Sequence, residues 1–296
     1  MIALTGATGF IGAAVARRFA SDGIPVRALA RASSNRGHVQ DVVTEFVTGD
    51  LADRDWHETL LDGADTLIHN GVDWKLARGG DLPRHLDVNI AASIELLDLA
   101  ARRGMRVVFV SSVAVHHHML PEWNGQIDSM HPTRPGNLYG ASKAAIEAHL
   151  WSLRASHDLR FTIIRPAAVY GIDPTLMRSI GAPIIEQVRK GEAFTRSGGG
   201  KFVHVDDVAE SMCAGAAAAD CGVYHLADCY ARWCDWATCV CEIEGVDVDI
   251  DRSSPTKPAN MFTTDALSAD LGVTLERGMD GIRTHLRALS DLLPRD

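Results

Sequence analysis

The sequence predicts an α/β protein in which a doubly wound parallel sheet carries a small, mostly helical C-terminal lobe. Short apolar runs rich in β-branched residues alternate with segments of helical periodicity over the first two thirds of the chain. Strands of this kind are buried on both faces of a parallel sheet that helices cover. The first run also leads through a glycine-rich turn into a helical pattern, which is how a βαβ unit begins.

The individual elements follow from these two patterns. Apolar runs bounded by glycine, proline or polar residues predict strands at 1–6, 25–31, 45–50, 65–71, 106–112, 161–171 and 223–228. Apolar residues three and four positions apart predict helices at 13–21, 56–64, 85–104, 139–156 and 174–191. A short strand at 202–205 precedes a further helix, which Asp206 can cap, and residues 263–293 are predicted to form two short helices.

Composition and charge exclude several classes of protein. The 296 residues are 46% hydrophobic with a net charge of −9, and Lys and Arg are scattered, so we expect no nucleic-acid partner. No apolar stretch approaches the roughly 20 residues of a membrane span, and the first run lacks the basic segment of a signal peptide. The cysteines lie between Cys213 and Cys241 and are interpreted as reduced thiols. We therefore expect a cytoplasmic protein, without membrane partners, that acts on a small molecule.

The glycine-rich turn "TGATGFIG" predicts a nucleotide-binding site. Gly6, Gly9 and Gly12 lie between the first strand and the first helix, where the lack of a Cβ allows close approach of a pyrophosphate. The helix that begins near Phe10 and Ile11 offers free N–H groups and the positive end of its dipole. The alternative is a glycine-rich turn that binds nothing.

The end of the second strand predicts which dinucleotide binds. An acidic residue there would bind the ribose 2′-hydroxyl of NAD, whereas a basic residue would accept the 2′-phosphate of NADP. Arg31 occupies this position and serines follow it, so the sequence favours NADP, with NAD possible and with a solvated surface arginine as the alternative. Asp50 and Leu51, after the third strand, are expected near the adenine.

The rhythm of strands and helices becomes irregular after residue 171, which divides the chain into two parts. Residues 1–171, with a return segment at about 202–228, are expected to form a dinucleotide-binding domain of the Rossmann type. Residues 172–201 and 229–296 are expected to form a smaller lobe that binds the substrate.

A tyrosine and a lysine share one face at the start of the helix predicted at 139–156. Tyr139 and Lys143 are four positions apart, and this helix comes after the strand that ends in Ser111 and Ser112. A phenol is a poor acid or base at neutral pH, but a neighbouring ammonium favours the phenolate and lowers its pKa. The same spacing also occurs on helix surfaces without any function.

Five segments taken in order identify the chain as a member of a known family. "TGATGFIG", "SSVAV", "YGASK", "RPAAVYG" and "HVDDVA" resemble the extended short-chain dehydrogenases/reductases, often labelled the NAD-dependent epimerase/dehydratase family. The resemblance covers essentially the whole chain. It implies that Tyr139 is the general acid/base, and that Lys143 lowers the pKa of this tyrosine and holds the nicotinamide ribose. It also implies that Ser112, or Ser111 if the register slips by one residue, binds the substrate oxygen.

The resemblance implies further roles at the cofactor. Asn89 matches the family's helix asparagine, which is more structural and water-organising than catalytic. Arg165 and Pro166 lie at the end of the strand beside the nicotinamide, where Pro166 would lie close to the ring. The reaction implied is hydride transfer between NADPH and a carbonyl carbon while Tyr139 donates the proton to the oxygen.

Departures from the family pattern indicate to which branch of the family the chain belongs. Val113 and Ala114 stand where dehydratases carry an acidic pair, which argues against sugar dehydration. Lys201 stands where nucleotide-sugar epimerases usually have an arginine, and a lysine lacks its bidentate fork. With Arg31 and His116, these features favour an NADPH-dependent carbonyl reductase resembling dihydroflavonol reductases. The alternatives are an epimerase of a sugar or nucleotide sugar with a tightly bound cofactor, and a non-catalytic cofactor sensor.

Residues in the loops beyond the strands are candidates for substrate contacts. Trp74, Trp123 and Arg178 fall in such loops, and His116 stands where relatives have a tyrosine. Loop anchoring is the alternative for the tryptophans, and a solvated loop is the alternative for His116. Neither His116–His118 nor the cysteines have the spacing and partners of a metal site, so no metal is expected. Helices 85–104 and 139–156, rich in Ala, Ile and Leu, resemble the family's dimer helices and predict a homodimer.

Overall fold

A seven-stranded parallel sheet forms the centre of the computed structural model, which describes residues 1–295. The strands in chain order are β1 (Ile2–Thr5), β2 (Val26–Ala30), β3 (Glu45–Thr48), β4 (Thr66–His69), β5 (Arg106–Val110), β6 (Gln126–Ile127), β7 (Arg160–Pro166), β8 (Ala168–Tyr170), β9 (Gly199–His204), β10 (Gly222–Leu226), β11 (Cys229–Arg232) and β12 (Met261–Phe262). The central sheet has the order β10-β7-β5-β4-β1-β2-β3. This architecture confirms the predicted fold class.

Helices cover both faces of the sheet and form most of the C-terminal part. They are α1 (Phe10–Ser21), α2 (His57–Leu61), α3 (Trp74–Ala77), α4 (Leu82–His85), α5 (Ala92–Arg102), α6 (Leu138–His157), α7 (Ala182–Arg189), α8 (Val205–Ala217), α9 (Trp233–Glu244), α10 (Asp265–Leu271) and α11 (Gly278–Leu292). On one face α1 and α8 bury a core with Val15, Phe19 and Met212. On the other face α2, α5 and α6 bury a second core that includes Leu96 and Leu150.

The C-terminal lobe has a core of its own around a small sheet. Strands β8, β9 and β11 pair in the order β11-β9-β8, with α7, α9 and α11 packed on them. Phe202, Trp236 and Leu286 are fully buried there. Strands β7 and β8 separate at Ala167, whose N–H bonds the Leu226 carbonyl at 2.8 Å. The segment predicted as one strand therefore belongs to two sheets.

The helix predicted at 85–104 is not continuous. It begins earlier, as α4, passes through a π-helical turn at Leu86–Ala91, and continues as α5. Asn89 lies inside the π turn with its side chain buried. Periodicity cannot reveal such a turn because one inserted residue rotates the face without changing composition.

Two further predictions about local structure are wrong. The helix predicted at 174–191 reduces to a 3₁₀ turn at Leu176–Arg178 and to α7, because Gly181 takes φ +108° and interrupts the chain between them. The N-cap of α8 is His204 rather than Asp206, since the His204 imidazole accepts the Asp206 N–H at 3.2 Å.

The cysteines are free thiols, and Cys234 and Cys239 are buried on α9. Among residues 1–295, no three His, Cys, Asp or Glu side chains come together as a set that could hold a metal ion. In the same range, every helix is too short or too polar to cross a membrane.

Candidate active site

A cavity of about 770 Å³ runs along the carboxyl edge of the central sheet. Residues directly after β1, β2, β3, β4 and β5 line it, together with the start of α6 and the end of β7. Loops at the carboxyl ends of parallel strands meet at one edge of the sheet, where open α/β folds bind their ligands.

The glycine-rich turn forms one wall of this cavity. Gly6 adopts φ +74°, and Gly9 begins α1 without any side-chain cap, so the first N–H groups of the helix face the cavity. A Cβ on Gly9 would lie 3.3 Å from the Gly6 carbonyl oxygen. Gly6, Gly9, Phe10 and Ile11 line the cavity, as their assignment to the cofactor requires. The bare backbone and the helix dipole fit a pyrophosphate.

Gly12 serves packing rather than direct binding. A Cβ at this position would lie 2.1 Å from the Gly6 carbonyl oxygen. Gly12 is buried in the helix and is absent from the cavity wall. Gly12 lets α1 approach the end of β1 closely. The prediction that it contacts the cofactor is therefore corrected: its role is in packing.

The other end of the cavity carries the residues that select the dinucleotide. Arg31 and Ser34 line it after β2, and Asp50 and Leu51 line it after β3. Arg36, which the sequence analysis did not single out, donates to the Arg31 carbonyl at 3.2 Å. The end of β2 therefore presents cationic and hydroxyl groups.

Ser112, Tyr139 and Lys143 line the middle of the same cavity. Burial raises the pKa of Tyr139 to about 12, and a hydrogen bond with Ser112 opposes this rise. Ser111 lines the cavity too, but its hydroxyl bonds the carboxylate of Glu147. Of the two serines, Ser112 is thus the one whose hydroxyl influences the pKa of Tyr139, whereas the Ser111 hydroxyl is engaged by Glu147.

Lys143 is buried beneath Tyr139. Its ammonium donates to the Val110 carbonyl at 2.7 Å and lies 4.7 Å from the Phe109 ring centroid and 5.8 Å from that of Tyr139. Burial lowers the pKa of Lys143 to about 8, and the negative charge of Glu147 opposes this shift. The ammonium is therefore close to titrating at physiological pH.

A close backbone contact fixes the tyrosine beside the serine. Asn137 caps α6 by accepting the Gly140 N–H at 2.8 Å. A Cβ on Gly140 would lie 2.2 Å from the Ala114 carbonyl oxygen, in the turn that follows Ser112. Gly140 stands in the segment "YGASK", but its steric role was not predictable from that segment because its partner lies in another element.

Trp74 and Arg178 line the cavity at its substrate end, and Pro166 lines it beside them. The Trp74 ring is half exposed and lies 4.7 Å from the Tyr139 ring, with 31° between the planes. An exposed indole against the candidate acid/base offers an apolar surface to a substrate.

Asn89 supports the loop that carries Trp74. Its amide accepts the Asp73 N–H at 2.8 Å and donates to the Asp73 carbonyl at 3.0 Å, and the Asp73 carboxylate caps α3, on which Trp74 lies. Asn89 is buried and does not line the cavity. Its assignment as a cofactor contact is therefore corrected to support of the loop, since both ends of its amide already have backbone partners.

His116 and Trp123 also lie away from the cavity. His116 is 5% exposed and its Nε2 lies 3.0 Å from Nε2 of His225. Trp123 donates from Nε1 to Asp128 at 2.8 Å and packs on a small apolar cluster around Ile127. Neither reaches the substrate end, because the chain turns inward after the 3₁₀ turn at Val113–Val115 and buries His116. Both substrate assignments are corrected accordingly.

Fold and site together define an NAD(P)-dependent enzyme of the short-chain dehydrogenase/reductase or epimerase class. A model of the NAD dependent epimerase/dehydratase family matches residues 2–226. The chain therefore belongs to this family, and the resemblance found in its motifs is confirmed.

Relatives in the family differ in the activities for which they are named. A UDP-glucose 4-epimerase of Mycolicibacterium smegmatis is 30% identical over 223 residues, 71% of either chain. Sterol demethylase protein B of Methylococcus capsulatus is 33% identical over 169 residues, which are 57% of this chain and 51% of that protein. A putative dihydroflavonol 4-reductase of a Synechocystis species is 36% identical over 112 residues, 38% of this chain and 32% of that protein. The chain thus spans about half the length of the Methylococcus relative.

Solved structures share the whole fold. A UDP-glucose 4-epimerase of Thermus thermophilus in complex with NAD superposes with a TM-score of 0.81, at 24% identity over 99% of both chains. A UDP-glucose 4-epimerase of Thermotoga maritima with UDP-glucose gives the same TM-score at 18% identity over 98% of this chain and 97% of that one. At these identities the likeness concerns the fold alone.

Replacement of Lys143 by methionine is expected to stabilise the protein near pH 7. The folded-state pKa of about 8 lies below the ordinary lysine value of 10.5, so burial of the ammonium costs stability below pH 8, up to about 3 kcal/mol. The wild type regains this stability as the pH rises from 8 to 10.5, whereas the variant has nothing to regain. Melting curves should show a higher Tm for Lys143→Met at pH 7 and a smaller difference at pH 10. Lys257→Met, at an exposed lysine, serves as the control. A lower Tm for Lys143→Met than for the wild type at pH 7 would contradict the stability cost inferred for the buried ammonium.

Proposed function

We propose that this protein is an NAD(P)-dependent oxidoreductase that interconverts a carbonyl and a secondary alcohol on a small molecule. The observation that carries the proposal is the convergence of Ser112, Tyr139 and Lys143 on the cleft that the glycine-rich turn opens. The nicotinamide cofactor, when bound, supplies or accepts the hydride.

The side chains of the chain move and hold the proton. Tyr139 donates its phenolic proton to the substrate oxygen during reduction and takes it back during oxidation. Ser112 donates a hydrogen bond to the same oxygen and fixes its position. With the pKa of Tyr139 raised to about 12 by burial, proton transfer depends on the positive charge of Lys143 beneath the ring.

Lys201 does not supply the cation that the diphosphate of a nucleotide sugar would require. Lys201, at the position where epimerases usually have an arginine, donates to Oδ1 of Asn260 at 2.7 Å and lies over the Phe262 ring. It does not line the cavity, and among residues 1–295 Arg178 is the last residue along the chain that does. A nucleotide diphosphate would thus require a cation other than Lys201.

A sugar or nucleotide-sugar epimerase is the second candidate, and a specific observation favours it. The relative from Mycolicibacterium smegmatis that matches across 71% of its length is named as a UDP-glucose 4-epimerase. Such an enzyme would oxidise and re-reduce its substrate on one retained cofactor, so that cofactor added in excess would not be consumed. A reductase would consume one reduced cofactor for each carbonyl. A non-catalytic sensor, the third alternative, would not need Ser112, Tyr139 and Lys143 together.

The preference for NADP is proposed from the end of β2. Arg31 and Ser34 line the cavity there, and no carboxylate follows β2 before Asp41. Arg36 lies beside them with a hydrogen bond to the Arg31 carbonyl. A guanidinium suits a ribose 2′-phosphate better than a free hydroxyl.

The homodimer through helices 85–104 and 139–156 stays a prediction, which the exposed face of α6 supports. Leu138, Ala141, Ala145 and Ala148 are exposed along α6, and Trp151 on the same helix is 52% exposed. Small and apolar residues exposed on one helix are suited to packing against a second copy.

Tyr139→Phe tests the proposed function directly. We expect kcat/KM for a confirmed ketone or alcohol to fall by about 10² to 10⁴, because the variant cannot transfer the proton. Binding of the reduced cofactor, followed by its fluorescence, should change little. Tyr230→Phe, on β11 away from the cavity, is the matched control. Turnover by Tyr139→Phe near that of the wild type would refute the mechanism.

Arg31→Ala tests the choice of cofactor. Loss of a charge-assisted bond to the 2′-phosphate costs about 1.5 to 3 kcal/mol, so affinity for NADPH should fall roughly 10- to 100-fold while affinity for NADH stays the same. Titration with both reduced cofactors measures the ratio, and Arg84→Ala, exposed on α4, is the control. An unchanged ratio of the affinities for NADPH and NADH in Arg31→Ala would contradict the proposed preference for NADP.

A further inference from the structure

A buried ion pair lies directly behind the catalytic residues. The Glu147 carboxylate accepts from Nη2 of Arg165 at 2.6 Å and from Nε at 3.0 Å, and the Ser111 hydroxyl donates to it as well. Glu147 is 3% exposed and Arg165 is 4% exposed. The pair is therefore shielded from water.

Two histidines complete this network on the far side of Arg165. The third guanidinium nitrogen, Nη1, lies 3.1 Å from Nε2 of His116 and 3.3 Å from Nε2 of His225. Burial, with the positive charge of Arg165, lowers the pKa of His116 to about 3 and that of His225 to about 2. Both imidazoles are thus neutral, and their Nε2 atoms lie within hydrogen-bond distance of the guanidinium and, at 3.0 Å, of each other. The network then contains one positive and one negative charge.

Three elements that supply the active site meet in this network. Ser111 directly precedes Ser112 at the end of β5, and Arg165 directly precedes Pro166 at the end of β7. Glu147 lies one helical turn after Lys143 on α6. The Glu147 carboxylate therefore connects three backbone segments. They carry the Ser112 hydroxyl, Pro166 in the wall beside the nicotinamide, and the Lys143 ammonium.

The cost of this arrangement argues for a role beyond stability. Desolvating a carboxylate and a guanidinium costs several kcal/mol for each ion, and well-packed apolar residues are often as stable or more stable at such a site. The pair lies against the catalytic residues, where a fixed charge affects the reaction.

We propose that Glu147 is a positioning residue, an inference that rests on the oxidoreductase function proposed above. Glu147 keeps the Lys143 ammonium charged and holds Ser111 and Ser112, at the end of β5, in place relative to Tyr139. Arg165 fixes the carboxylate in one orientation, and His116 and His225 hold the guanidinium. This assigns His116 a place in the support of the active site instead of a contact with the substrate.

The charges around Lys143 explain why this carboxylate matters. On α6, the ammonium lies 5.8 Å from the Tyr139 ring centroid and Glu147 follows Lys143 by one helical turn, while Arg165 from β7 places its positive charge on the same carboxylate. Burial keeps the tyrosine neutral. From β4, the imidazole of His69 lies behind Phe109, with its pKa lowered to about 3 by burial, so it is neutral. The end of β5 offers the Val110 carbonyl. Glu147 thus supplies the negative charge that offsets burial of the ammonium.

Glu147→Gln tests the proposal through a pH profile. The variant keeps the shape of the side chain but loses its charge, so the pKa of Lys143 should fall further. We expect the alkaline limb of the kcat profile to move about one pH unit or more toward lower pH, with kcat at pH 7.5 at least tenfold below the wild type. The pH dependence of reduced-cofactor binding, followed by fluorescence without turnover, should move in the same direction because Lys143 holds the ribose.

Glu244→Gln is the matched control. Glu244 is partly buried, accepts from Arg189 at 3.0 and 3.1 Å and receives the Ser290 hydroxyl, but it lies in the C-terminal lobe away from the cavity. Glu147→Gln leaves a buried arginine unpaired and Glu244→Gln a partly buried one, so both should lower the Tm. We expect Glu147→Gln alone to move the pH profiles. If both leave the profiles in place and kcat within threefold, Glu147 has a structural role and the proposal is wrong.

A double variant tests the proposal if Glu147→Gln alone does not fold. Glu147→Gln combined with Arg165→Met removes both charges and leaves no buried guanidinium without its carboxylate. A shift of the alkaline limb in the same direction is expected, smaller because the positive charge of Arg165 is removed as well, and an unshifted limb overturns the proposal. A wild type that turns over neither ketones nor nucleotide sugars would instead refute the proposed function, and the cofactor-binding profile would still decide the role of Glu147.

Discussion

The active site depends on a close contact between two backbones, where α6 meets the turn after β5. A glycine at position 140 allows the approach, because a Cβ there would lie 2.2 Å from the Ala114 carbonyl oxygen. Tyr139 directly precedes this glycine and Ser112 begins the turn, so the contact sets the distance between the phenol and the hydroxyl. The cofactor cleft depends on a similar contact at Gly12, which draws α1 against β1. Both contacts require glycine for the same steric reason.

The same region concentrates charge that burial makes costly. Lys143, Glu147 and Arg165 are each less than 5% exposed, whereas the ion pairs of the surface cost little and contribute little. A chain selected for stability alone would replace these groups by apolar ones. Their presence beside Tyr139 is consistent with an active site in which fixed charges adjust proton transfer, and it accounts for the position of His116 and His225 as neutral imidazoles beside the guanidinium.

Local patterns in the sequence were sufficient for the fold and for the side chains that point into the cleft. β-branched runs predicted the central strands, and the glycine turn and the Tyr139–Lys143 spacing marked residues whose role depends on near neighbours. Long-range contacts were not predictable in this way. Arg165 meets His116 and His225 across 49 and 60 positions, and nothing in an isolated segment shows that His116 points inward. The π turn at Asn89 escaped detection because it preserves composition while it shifts the helix face.

The central claim is that Ser112, Tyr139 and Lys143 surround the reacting end of a bound nicotinamide. A crystal structure of the protein with NADPH tests it most directly. We expect the pyrophosphate at the N–H groups of Phe10 and Ile11, the nicotinamide ribose on the Lys143 ammonium, and C4 of the ring open to the space in front of the Tyr139 hydroxyl. A cofactor bound with its nicotinamide directed away from Tyr139 would contradict the account.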